Sequence, residues 1–165
     1  MSQRKRDLTS SLPTGLLSSV VLAAVLGGVF EPQPAKSAEP RVAVIVNAAN
    51  DCSSISLARL RLMYLRKQTR WAQTDGALSG KNIVPLDLPA GTKARERFAT
   101  NVLDRTVQQM TEFWIREKLK GGASPPLVRR TTADVVGIVG KLPGAVGYVP
   151  ADAVLDASVK VVAKF

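Results

Sequence analysis

Residues 82–98, with the sequence NIVPLDLPAGTKARERF, decide the fold that we expect for this chain. An apolar, β-branched run starts at Ile83 and ends in a proline- and glycine-containing turn that closes at Gly91. Apolar residues then recur at helical spacing as far as Phe98 and beyond. The hydroxyl of Thr92 can accept a hydrogen bond from a free N–H group of the first helical turn. The pattern therefore predicts a strand, a tight loop and a helix capped by Thr92.

The first turn of this predicted helix is unusually basic, because it contains Lys93, Arg95 and Arg97. The helix dipole already makes this end positive, so acidic residues would be the stabilising choice. A bound anion would be favoured by the free N–H groups, the dipole and the cationic side chains together. We therefore predict an anion-binding site formed by Gly91, Thr92, Lys93 and Arg95. The alternative is a solvated basic face on a surface helix, which is the more common meaning of such a pattern.

The N-terminal part of the chain has the pattern of a secretory signal peptide. Residues 4–6 are basic, residues 16–30 form an apolar run, and residues 35–38 supply small side chains for cleavage. The apolar run is shorter than the roughly 20 residues that a membrane-spanning helix needs. We predict a signal peptide at residues 1–38, a single domain at residues 39–165, and a periplasmic location. An uncleaved N-terminal anchor is the alternative.

The charge of the chain favours anionic partners. The formal charge is +10, of which residues 1–38 contribute +4 − 2 = +2, so the predicted domain carries +10 − 2 = +8. Small oxyanions and anionic lipid headgroups are attracted by such a surface, and contact with a membrane surface stays open. Nucleic acid is not expected, because the chain lacks aromatic residues interleaved with basic ones and has no nucleic-acid motif.

Composition also argues against an enzyme. The chain has no histidine and a single cysteine, Cys52, which excludes histidine-based triads, an internal disulfide and a thiolate metal site. The acidic residues are scattered and form no obvious catalytic pair. We predict no catalytic residues, no metal and no cofactor.

The remaining segments complete an α/β pattern. Residues 41–47 form an apolar run typical of a strand that is covered on both faces. Further helices are predicted after Ser54 or Ser56, after Thr106 with Gln109 completing a capping box, and after Thr131 or Thr132. In the helix after Thr106, the predicted buried side consists of Val107, Met110, Phe113, Trp114 and Leu119. Two strands close the chain.

This alternation predicts a three-layer α/β/α domain with a mostly parallel sheet. Ligands of such domains bind at the carboxyl ends of the strands, often on the N-terminus of a helix. Residues 85–93 occupy this position.

Four segments, taken in order, resemble the central and C-terminal part of the phosphate-binding proteins of ABC importers. They are residues 42–71, 83–98, 113–114 and 142–150. The resemblance implies a type 2 periplasmic-binding-protein-like single lobe and a non-enzymatic role in binding phosphate or a related oxyanion. It also implies membrane components of an ABC transporter as partners.

The chain departs from this family at the site itself. The family's helix start contains an arginine and a Gly-Ser-Gly-Thr turn; here Gly91 and Thr92 match, but Leu88 and Ala90 stand at the arginine and serine positions. Asp87 would oppose an anion if it pointed inward. In the family, an earlier strand and helix start form the second wall of the phosphate cleft. None of the four resembling segments corresponds to that wall. The alternative function is therefore a protein-interaction domain of the cell envelope that has kept the fold and lost the ligand, and the oligomeric state stays open.

Overall fold

The first strand, β1, spans Val42–Asn47, and it is an interior strand of the sheet in which all six residues are buried. The computed structural model describes residues 41–165, so the predicted signal peptide at residues 1–38 lies outside the described part. Among the described residues, no helix has the length and apolar character needed to cross a membrane.

The predicted order of helices and strands is found along the described chain, together with one short strand, Leu127–Val128, that was not predicted. After β1 follow α1 (Leu57–Tyr64), β2 (Val84–Asp87), α2 (Lys93–Asn101), α3 (Val107–Leu119), β3 (Leu127–Val128), α4 (Thr132–Lys141), β4 (Ala145–Pro150) and β5 (Val159–Lys164). The helices begin where capping side chains were predicted, because Ser56, Thr92, Thr106 and Thr131 each accept a backbone N–H of the first turn. Gln109 completes the capping box of α3.

The five strands form one mixed sheet in the order β3-β2-β4-β1-β5. β2 runs parallel to β3 and β4, whereas β1 runs antiparallel to β4 and β5. Neighbouring residues of β4 show that helices cover both faces. A Cβ on Gly147 would meet Val135 and Val139 of α4, whereas the ring of Tyr148 stacks on Phe98 of α2. This is the predicted three-layer α/β/α arrangement.

The C-terminal half of α3 is much less buried than its spacing predicts. Of the predicted buried side, Met110 is buried, but Leu119 is 82% exposed, and the neighbouring Ile115 is 56% exposed. The prediction for Leu119 was wrong. Helical spacing identifies residues that share a face, but it does not say how far the adjacent layer extends along the helix.

Candidate functional site

The start of α2 has the local geometry that the sequence predicts. Gly91 adopts a φ of +85°, a left-handed conformation that residues with a side chain rarely adopt. This conformation directs the chain from the loop into the helix. The hydroxyl of Thr92 donates to the carbonyl of Pro89 at 2.9 Å and accepts from the amide of Arg95 at 3.4 Å. The capped helix start therefore lies directly after the carboxyl end of β2.

The two cations of the predicted site do not point to one place. Lys93 is exposed and lines a surface depression together with Glu96, Arg97 and Thr100. Arg95 instead has only 15% of its side chain exposed and lies against residues at the end of β2. Gly91, Thr92 and Lys93 thus form the outer part of the helix start, and Arg95 forms the inner part.

Arg95 is held by the carboxylate of Asp87 and by backbone. Its Nη1 lies 2.6 Å from Oδ2 of Asp87 and donates to the carbonyl of Leu88 at 2.6 Å. Oδ1 of Asp87 accepts from the Leu88 amide at 2.9 Å and from the hydroxyl of Tyr148. We call Asp87, Arg95 and Tyr148 the inner cluster. It places a carboxylate within the predicted anion site, as the sequence allowed for Asp87.

Burial dominates the electrostatics of the inner cluster. It raises the pKa of Asp87, and the hydrogen bond from Tyr148 and the charge of Arg95 offset only part of this rise. Burial also raises the pKa of Tyr148, and the nearby charge of Asp87 adds to the effect. The hydroxyl of Tyr148 is therefore a neutral donor at neutral pH.

Sequence reasoning missed Tyr148, which lies 61 residues from Asp87 along the chain. Its ring stacks on Phe98 with the centroids 4.0 Å apart, and the ring of Tyr64 lies 4.4 Å from that of Phe98. Tyr148 was predicted as part of a strand, and it lies within residues 142–150, one of the four segments that carry the resemblance, but no role in a site was predicted for it. Its role depends on the pairing of β4 with β2.

A cavity of about 610 Å³ opens beside the inner cluster. It lies where the parallel strands β2 and β3 end, between these ends and the C-terminal half of α3. Its lining consists of Asp87, Arg95, Thr111, Trp114, Ile115, Lys118, residues 121–126 and Val128. Of the four predicted site residues, only Arg95 lines this cavity. The sequence indicated Gly121-Gly122 and Pro125-Pro126 as the end of a helix, but not as a cavity wall.

Comparison with known proteins identifies the fold through solved structures. No protein-family model matches the chain, and no curated protein matches it. A protein from Clostridium perfringens, described as a phosphate ABC transporter substrate-binding protein and solved with bound phosphate, is 18% identical with a TM-score of 0.57. An ABC-type phosphate transport receptor from Vibrio cholerae is 22% identical with a TM-score of 0.57. A protein from Planctomyces limnophilus DSM 3776, described as a possible phosphate binding protein, is 16% identical with a TM-score of 0.52.

These matches cover most of this chain but less than half of each neighbour. They cover 74%, 74% and 75% of this chain, and 45%, 46% and 42% of the three solved chains, respectively. At these identities the matches show the fold, and they confirm the predicted resemblance at the level of the fold. The chain therefore shares the fold of these solved proteins, which are described as phosphate-transport or phosphate-binding proteins, over somewhat less than half of their length.

Proposed function

We propose that this protein is an exported, solute-binding-like module that binds phosphate or a related oxyanion at the start of α2. Its binding residues are Gly91, Thr92, Lys93 and Arg95. It works in, or as an accessory to, phosphate ABC transport or sensing, with transporter membrane components or another envelope protein as partner. The observation that carries the proposal is the capped, basic helix start, on a fold shared with proteins described as phosphate-binding.

The helix start offers several donors to an anion. Within residues 41–165, no acceptor meets the amides of Lys93 and Ala94, as is usual for the first turn of a helix. The exposed ammonium group of Lys93 adds a mobile positive charge next to these amides. Arg95 contributes only if the anion shares its guanidinium with Asp87. The carboxylate of Asp87 competes with the anion for Arg95 and therefore limits the affinity of the site for the anion.

Isothermal titration of the purified protein with phosphate and with sulfate tests the proposal. We expect measurable heat with phosphate and a phosphate-dependent rise in melting temperature, because a ligand of the native state stabilises it by mass action. Lys93→Gln should weaken binding, whereas Lys81→Gln, an exposed lysine outside α2, should not. Absence of both signals at millimolar phosphate would overturn the proposal.

Export is tested separately. We expect the protein in the periplasmic fraction of cells, with a mass that corresponds to cleavage close to residue 38. A full-length chain found in the cytosolic fraction would contradict this part of the proposal.

A second function, a protein-interaction domain of the cell envelope, is favoured by the exposed apolar side chains near α3 and β3. These are Ile115, Leu119, Leu127 and Val128. Clusters of exposed apolar side chains mark surfaces that bind other molecules. Under this function, tight phosphate binding is not expected, and Leu119→Ser should reduce recovery of an envelope partner in pull-downs. Phosphate binding in the absence of any such partner would count against it.

A further inference from the structure

We propose that the cavity beside the inner cluster binds an organic oxyanion, a phosphate monoester with an apolar substituent, rather than inorganic phosphate alone. The anionic group meets Lys118 and Arg95, and the apolar group packs on Trp114 and Ile115. The proposal rests on the proposed function only for the class of the headgroup. It adds a second set of binding residues to the site and an apolar substituent to the ligand.

The size of the cavity fits such a ligand. Sites for small organic molecules typically measure roughly 300–1,000 Å³, and this cavity measures about 610 Å³. An inorganic oxyanion would occupy only a small part of it. The lining is predominantly apolar along one wall, where Trp114 and Ile115 face the cavity from α3 and Val128 faces it from β3. A ligand that fills this volume must therefore carry an apolar group.

The polar end of the cavity has more donors than acceptors. Oδ1 of Asp87 already accepts from Tyr148 and from the Leu88 amide, and its Oδ2 forms an ion pair with Arg95. The contacts of Arg95 with Asp87 and Leu88 use Nη1, and within residues 41–165 its Nη2 and Nε donate to no acceptor, which leaves their hydrogens for a ligand. Lys118 forms no ion pair within residues 41–165.

The formal charge of the lining agrees with this count of donors. Arg95 and Lys118 contribute +2 and Asp87 contributes −1, so the lining carries +2 − 1 = +1. A ligand group that accepts hydrogen bonds and carries negative charge satisfies both the spare donors and the net charge. A cationic group would meet Asp87 only in competition with Arg95.

The position of the cavity in the fold is also that of a ligand site. It lies at the carboxyl ends of β2 and β3, which are parallel to each other. In open α/β sheets, ligands bind in the crevice outside these strand ends. Ile115 lines the cavity and is 56% exposed, so the apolar wall is reachable from solvent.

Isothermal titration with three probes tests the proposal: phenyl phosphate, inorganic phosphate and benzyl alcohol. We expect phenyl phosphate to bind roughly tenfold or more tightly than inorganic phosphate, because the ring removes apolar surface from water. Benzyl alcohol, which has the ring but no charge, should bind much more weakly than phenyl phosphate. Equal affinity for phenyl phosphate and inorganic phosphate, or equal affinity for phenyl phosphate and benzyl alcohol, would overturn the proposal.

Matched variants on α3 assign the binding to the cavity. Ile115→Ser and Lys118→Gln should each weaken phenyl phosphate binding several-fold. Leu119→Ser and Lys120→Gln are the controls, since these exposed residues lie on the same helix outside the cavity lining. Equal effects of cavity and control variants would refute the assignment. All four positions are exposed, so loss of folding is not expected.

The outcomes separate this proposal from the proposed function. Inorganic phosphate binding that depends on Lys93, without any advantage for phenyl phosphate, refutes the cavity proposal and supports the proposed function. Phenyl phosphate binding that depends on Ile115 and Lys118, without binding of inorganic phosphate, supports the cavity proposal and refutes the site at Lys93. Absence of binding of either anion refutes both.

Discussion

Two arginine–aspartate pairs in this molecule have opposite electrostatic characters. Arg59 of α1 pairs with Asp75 in the loop before β2, and Arg95 of α2 pairs with Asp87 at the end of β2. Hydrogen bonding by Arg59 lowers the pKa of Asp75. The pKa of Asp87 is raised, because burial outweighs the hydrogen bond from Tyr148 and the charge of Arg95.

The contact geometry of the two pairs adds to this difference. Both terminal nitrogens of Arg59 contact Asp75, one at 2.9 Å, and the guanidinium lies over the ring of Trp71. Arg95 uses a single nitrogen, which it divides between Asp87 and the carbonyl of Leu88. A bidentate pair gains more from the same two charges than a single contact does.

The pair of Arg95 and Asp87 belongs to the proposed site, and the pair of Arg59 and Asp75 does not. The pair of Arg59 and Asp75 connects the loop before β2 to α1 and lies outside the cavity. In the pair of Arg95 and Asp87, an acid is kept next to the cavity although burial disfavours its charge. Titratable groups perturbed in this way cluster at functional sites. The following predictions test the contrast, from the largest expected effect to the smallest.

Asp75→Ala should give the largest loss of stability. The side chain of Asp75 is 4% exposed, and its removal leaves Arg59 and the amide of Ala72 without their acceptor. Because Arg59 retains access to water, we expect the free energy of unfolding to fall by about 2–4 kcal/mol. Urea denaturation at pH 7 measures this change. A loss smaller than that caused by Asp87→Asn would show that the pair of Arg59 and Asp75 contributes less to stability than the pair of Arg95 and Asp87.

Tyr148→Phe should have the next largest effect. It keeps the ring that stacks on Phe98 but removes the hydroxyl that donates to Asp87. Hydrogen bonds to charged groups contribute more than neutral ones, so we expect a loss of about 2 kcal/mol. The same denaturation experiment measures it. Tyr64→Phe is the matched control, because its hydroxyl donates to backbone carbonyls rather than to an acid. Equal losses of stability in the two variants would show that the hydrogen bond to Asp87 contributes no more than a hydrogen bond to a backbone carbonyl.

Asp87→Asn should cost at most about 1 kcal/mol of stability, since asparagine retains an oxygen acceptor and no longer buries a charge. Its effect on ligand binding should be opposite in sign. Removing the carboxylate that competes for Arg95 should raise the affinity for phosphate roughly tenfold. Isothermal titration of both proteins decides the point. Unchanged or weaker binding would remove Arg95 from the anion site.

The pH dependence of stability should differ between the two acids. The folded-state pKa of Asp87 is raised above its ordinary value of 3.8, so its stabilising contribution is complete below that value and is lost as the pH rises through the raised pKa. The folded-state pKa of Asp75 is lowered, so its contribution is present above 3.8 and is lost as the pH falls through the lowered pKa.

Unfolding measured in small steps from acidic to neutral pH tests these two signs. Relative to Asp87→Asn, the unmodified protein should lose stability as the pH rises. Relative to Asp75→Ala, it should gain stability over the same range. Two curves of the same sign would show that the pairs do not differ in the way the structure indicates.

Predictions from local sequence agree closely with the structure at the helix starts. Thr92 and Thr106 cap helices where a hydroxyl precedes an amphipathic run, because a cap involves only groups within three residues of one another. The predicted burial of α3 agrees less well with the structure. Leu119 continues an apolar pattern, yet no other part of the described chain covers it.

The sequence alone determined the order of the helices and of four of the five strands, the basic start of α2 and the resemblance to solute-binding proteins. Only the tertiary structure decided that Arg95 turns inward to Asp87, that Tyr148 joins them, and that a cavity opens beside α3. The physical reason is the range of the interactions. Caps and periodicity depend on neighbours along the chain, whereas the partner of a buried charge depends on which distant strands and helices pack together.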